Sequence, residues 1–198
     1  LVHRFNDSWR MAARLNYADT ADQLDAAAGA RFIEGNVGFA WRPWNSQRWG
    51  VFGRYTYLYD LATLGQVGGA DYDQKSSVLS FEGVYKLDVN WEFAARVARR
   101  DGEVRYGRGS GAWADSATSF ASGQVRYDLL RQWHALAEYR WLDVDEGGTR
   151  SGYLVGLDRD IGENLRLGVG YNFTDFSDDL TDFDYDHRGW FLNMVGSY

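Results

Sequence analysis

Residues 187–198 read HRGWFLNMVGSY, and their periodicity decides how the rest of the chain is read. Trp190, Leu192, Met194, Gly196 and Tyr198 take alternate positions, with Phe191, Asn193, Val195 and Ser197 between them. Strict alternation marks a β-strand whose two faces meet different surroundings. The last residues of soluble domains usually fray. An aromatic-ended strand in a polar, acidic chain therefore needs something to hold it. A sheet closed on itself would do so, because closure removes the edge and satisfies the backbone of the last strand.

The same period of two recurs upstream. SWRMAARLNYA (8–18) sets Trp9, Met11, Ala13, Leu15 and Tyr17 against Arg10, Arg14 and Asn16. FIEGNVGFAWR (32–42) sets Ile33, Val37, Phe39 and Trp41 against Glu34, Asn36 and Arg42. RWGVFGRYTYLYD (48–60) sets Trp49, Val51, Tyr55, Tyr57 and Tyr59 against Arg54, Thr56 and Asp60. The pattern continues through residues 76–86, 91–99, 119–129, 133–142, 151–159, 165–174 and 189–198, ten strands in all. Each is close to the ~9–11 residues that cross a bilayer as a tilted strand. Helical spacing fits only ADQLDAAAGA (21–30), which reads as loop or one turn.

The connections alternate in length. FNDS, PWNSQ, LDVN, LLRQ and DIGEN are short, whereas residues 18–30, 60–75, 101–116, 143–150 and 175–188 are long. Short turns on one side and long loops on the other describe an antiparallel up-and-down barrel in a membrane. Trp9, Trp49, Trp91 and Trp133 each directly follow a short turn and would form an aromatic girdle at one interface. A soluble sandwich would favour aliphatic residues on its buried face. A lipocalin-like barrel would carry the same alternation with the apolar side inward, and periodicity alone does not say which face points out.

Composition agrees. Aromatic residues make up 17% of the 198, with nine Trp and thirteen Tyr, while Pro occurs once and Cys not at all. Disulfides and thiolate metal sites are thereby excluded. A net charge of −7 argues against nucleic acid as a partner. No apolar run approaches the ~20 residues of a transmembrane helix. The first residue is Leu1 and not Met, so a processed or trimmed product is expected.

An alternating final strand ending in Tyr resembles the assembly signal of Gram-negative outer-membrane β-barrels, here carried by Trp190, Leu192, Gly196 and Tyr198. The stretch GYNFTDFSDDLTDFDYDHRGWFLNMVGSY (170–198) is similar to the ending of barrel modules that terminate large modular surface proteins, some of them OmpA-like. The resemblance implies a bacterial outer-membrane location, with long loops extracellular and short turns periplasmic. The partners it implies are outer-membrane lipid, lipopolysaccharide and the barrel-assembly machinery, with upstream modules or other chains of a surface assembly. LVHRF (1–5) matches the strand end that precedes other short turns, so residues 1–198 are expected to be the C-terminal part of a larger barrel of twelve or more strands. A short tail before a complete ten-stranded barrel is the alternative, in which 189–198 pairs with 8–18.

With the aromatic face outward, Arg14, Glu34, Arg54, Glu82, Arg96, Arg126, Glu138, Arg140 and Arg166 point into the lumen. Charges held away from bulk water must pair or cost several kcal/mol each. A lumen filled by paired charges, serving a membrane anchor, is the expectation. A small porin-like channel for polar or anionic solutes is the alternative. Asp186–His187 on the long-loop rim resembles the omptin proteases, but no opposed carboxylate pair accompanies it, and no enzyme activity or cofactor is expected. Asp175, Asp178, Asp179, Asp182, Asp184 and Asp186 lack the glycine and glutamate of a calcium loop and read as a solvated loop.

Overall fold

Adjacent alternating segments pair antiparallel. The computed structural model describes residues 1–20, 30–61, 72–106, 111–129, 132–145, 147–162, 164–176, 180 and 188–196. They form β1 (Val2–Arg4), β2 (Trp9–Thr20), β3 (Ala30–Trp41), β4 (Trp49–Leu61), β5 (Tyr72–Lys86) and β6 (Trp91–Tyr106). The chain continues through β7 (Ala114–Asp128), β8 (Trp133–Val144), β9 (Gly148–Ile161), β10 (Leu165–Asn172) and β11 (Gly189–Gly196). All eleven lie in one antiparallel sheet in chain order, an up-and-down meander, with no helix among the described residues. The ten anticipated strands are β2–β11, and LVHRF supplies β1, with Val2 opposite Ala12, His3 opposite Met11 and Arg4 opposite Arg10.

The closed ten-strand ring is not the arrangement. Residues 9–20 pair with β1 and β3, and β11 pairs only with β10 among the described residues. The sheet is barrel-like but open. Every turn reverses the chain, so in an eleven-strand meander β1 and β11 run the same way. Joining them directly would give a parallel pair inside an otherwise antiparallel sheet.

Directly opposed residues share a face, so register assigns every side chain. One row runs Arg10, Ala40, Phe52, Glu82, Arg96, Ser122, Arg140 and Gly152. The next runs Met11, Phe39, Gly53, Phe81, Val97, Ala121, Trp141 and Ser151, on the opposite side. The first face is concave. Phe176 and Leu180, which follow β10, pack against Val78, Ala98, Phe120 and Leu142 of β5–β8 on that side. Only a sheet curled around this face lets a segment beyond β10 reach β5. Thr174 seats the segment, resting on Gly152 where a Cβ would lie 2.9 Å from the Thr174 Cα.

Turn chemistry repeats at the short-turn rim. Asn6 Oδ1 accepts from the Ser8 and Trp9 amides, and Asp88 Oδ1 accepts from the Asn90 and Trp91 amides at 2.7 and 2.8 Å. Phe5 and Leu87 then donate to the Trp9 and Trp91 carbonyls. The side-chain acceptor imitates a backbone turn and sets the entry of each tryptophan strand. Asp88→Ala should lower stability by about 1 kcal/mol because these bonds are solvent-exposed, while Asp88→Asn keeps the acceptor and should be near neutral. Urea unfolding of the two variants side by side checks this.

Candidate functional site

The short-turn rim of the convex face carries the aromatic ring. Trp9, Trp49, Trp91 and Trp133 are the first residues of β2, β4, β6 and β8. Each meets a partner across its hairpin or ladder. Trp9 lies 6.3 Å from Trp41, Trp49 lies 4.3 Å from Tyr85, and Trp91 lies 4.4 Å from Tyr127, centroid to centroid. Trp133 lies under the Arg159 guanidinium at 5.2 Å. Sequence reading found the four tryptophans but not their partners, which are visible only once register is known. In β11, Trp190, Leu192 and Met194 share the convex face and are among the most exposed apolar residues. Gly196 ends that row opposite Leu165, and Tyr198 lies outside the described residues.

The nine expected lumen residues all fall on the concave face. They do not form one continuous network. Glu138 is the best-satisfied acid: its Oε1 accepts from Arg140 Nε at 2.6 Å and its Oε2 from Gln124 Nε2 at 3.1 Å. Arg166 Nε donates to Asp160 Oδ1 at 2.6 Å, and Arg126 Nη1 lies 4.0 Å from Glu92 Oε1. Arg14 reaches Glu34 only through a neutral intermediary: its Nε donates to Asn16 Oδ1, whose Nδ2 donates to Glu34 Oε2 at 2.8 Å. Arg96 lies over the Phe120 ring at 5.6 Å. Among the described residues no hydrogen bond or ion pair engages the side chains of Arg54 or Glu82.

A chain of ionic contacts at the short-turn end was not anticipated. His134 Nδ1 lies 2.5 Å from Asp128 Oδ1 and its Nε2 lies 2.9 Å from Asp160 Oδ2. With Arg166 on the other oxygen of Asp160, the contacts cross β7, β8, β9 and β10 in turn. Both ring nitrogens face carboxylate oxygens, and only the imidazolium form donates from both. Each pair spans the mouth of a short hairpin: Lys86–Glu92, Asp128–His134 and Asp160–Arg166 are all six residues apart. That spacing could have been found in the sequence, since residues flanking a short antiparallel turn must come face to face.

Toward the long loops the concave wall changes character. Leu58, Val78, Ala98, Phe120 and Leu142 are buried there, and Phe176 and Leu180 complete an apolar plug. Arg100 is 1% exposed beside it, donating to Ser116 Oγ at 3.2 Å. So the lumen is not filled by paired charges alone. Asp186 and His187, and the acids at 178, 179, 182, 184 and 186, lie outside the described residues. Among the described residues no group of three or more His, Asp or Glu side chains converges as a metal site would. No protein-family model matches the chain, and no curated protein matches it either.

Proposed function

We propose that the chain is a membrane-anchoring β-barrel module of a bacterial outer-membrane surface protein. One observation carries this: the apolar side of the sheet is the exposed, convex one. Leu15, Val37, Tyr55, Leu79, Val97, Tyr139, Tyr153, Val169 and Leu192 stand on it, spread over nine strands. A continuous apolar surface of that extent is costly in water and is what a lipid-facing band requires. The tryptophan ring at the short-turn rim suits a membrane interface, where one side of the ring is apolar and the other wet. Outer-membrane lipid and lipopolysaccharide are the proposed surroundings, with the barrel-assembly machinery and further segments of a surface assembly as partners. The alternative, a small channel for polar or anionic solutes, is opposed by the apolar cluster of Phe120, Phe176 and Leu180, which occupies the concave side toward the long loops.

Val155 tests the anchor reading. It sits mid-strand in β9 on the convex face, between Ala137 and Tyr171. Val155→Arg should cost about 2–4 kcal/mol in bilayers, the cost of a charge near mid-membrane. Unfolding from lipid vesicles measures it. A water-facing position would lose under ~0.5 kcal/mol, and that result would sink the proposal. Planar-bilayer recording separates anchor from channel: the anchor reading expects no steady conductance.

A further inference from the structure

The concave wall holds a cavity lined by more cations than acids. It has a volume of about 650 Å³ and opens between β1 and β6. Three arginines line it, Arg10, Arg54 and Arg96, against the single acid Glu82. Several other cations on this wall have carboxylates: Lys86 has Glu92, Arg140 has Glu138 and Arg166 has Asp160. Among the described residues, the guanidinium groups of Arg10 and Arg54 have neither hydrogen bond nor ion pair.

Register sets how far apart the two stand. Arg10 and Phe52 lie in one row with Ala40 between them, and Arg54 is two residues further along β4. Two strand spacings and two residue rises put their Cα atoms about 12 Å apart, a gap two extended arginine side chains close onto one group between them. The intervening floor is Ala12, Gly38 and Ala40, too small to fill that gap. Two guanidinium forks able to reach across a small-residue floor suit a tetrahedral oxyanion, which each fork can grip through two oxygens. The cavity is larger than a bare phosphate. Phe52, exposed on the same wall, offers an apolar surface beside the arginines.

We propose that Arg10 and Arg54 form an oxyanion site that takes the phosphate group of a small phosphate monoester. The inference does not depend on the membrane reading, since it concerns only the concave wall. The test titrates the full chain, folded in phosphate-free detergent, with glycerol phosphate, with inorganic phosphate and with glycerol, followed by calorimetry. Binding of either phosphate, and none of glycerol, is expected. Arg10→Gln and Arg54→Gln should each weaken it about tenfold or more, the loss of one charge-assisted contact. Arg150→Gln, on the concave face of β9 outside the cavity, should leave binding unchanged. Tighter binding of the ester identifies an organic phosphate as the ligand, and equal binding identifies the phosphate group alone. Near-ultraviolet circular dichroism shows that each variant is folded, and Arg54→Lys, which keeps the charge but loses the fork, should fall between wild type and Arg54→Gln. No heat with either phosphate, full affinity in both glutamine variants, or an equal loss in Arg150→Gln would each overturn the site.

Discussion

Replacing Phe120 by alanine is expected to cost about 3–5 kcal/mol, the range for deleting a fully buried aromatic ring. Phe120 is 2% exposed, in β7 at the centre of the concave cluster. Val78, Ala98 and Leu142 come to it from neighbouring strands, and Phe176 and Leu180 come from beyond β10. The strands cannot close over the void, because ladder hydrogen bonds to β6 and β8 hold the wall in place. The guanidinium of Arg96 also loses the ring it lies over. Denaturant unfolding gives the number, and limited proteolysis near residue 176 should show the seated segment released. A loss below ~1 kcal/mol would mean that the plug is not packed as described.

Glu138→Ala should be of similar size, about 3–5 kcal/mol, because it removes the acid of a buried, hydrogen-bonded ion pair. The side chains of Glu138 and Arg140 are only 10% and 11% exposed, so little solvent screens the loss. Two donors are affected, Arg140 Nε and Gln124 Nε2. Arg140→Met in the Glu138→Ala background removes the remaining charge of the pair and should recover part of the loss. The double-mutant cycle then measures the worth of the pair. Independent, additive losses would show that the two do not interact.

Much of this was readable in the chain. Trp91, Phe93 and Val97 alternate with Glu92 and Arg96, and alternation is a property of the extended backbone itself, whatever the strand pairs with. The short turns were legible for the same local reason: Asn6 and Asp88 supply the acceptors that reverse the chain within a few residues. Facing of the nine lumen residues followed from the parity of their numbers. The concave arrangement was harder. Arg54 and Glu82 were expected in a charge network, yet among the described residues neither side chain makes a hydrogen bond or ion pair. Asp160, absent from that expectation, holds both Arg166 and His134.

Local alternation and turn chemistry therefore determined the strands, their order and their two faces, since each depends on residues close in sequence. Curvature and long-range contact decided the rest. That Phe176 would lie on Phe120 requires β10 to be carried around toward β5, and no window of sequence encodes how tightly a sheet coils. Ten reversals leave β1 and β11 running the same way, so that joining their edges would need a parallel pair. Whether Arg10 and Arg54 face a carboxylate or an open cavity is likewise set by the small residues of β2 and β3 that lie between them, and only the folded register brings those residues into one place.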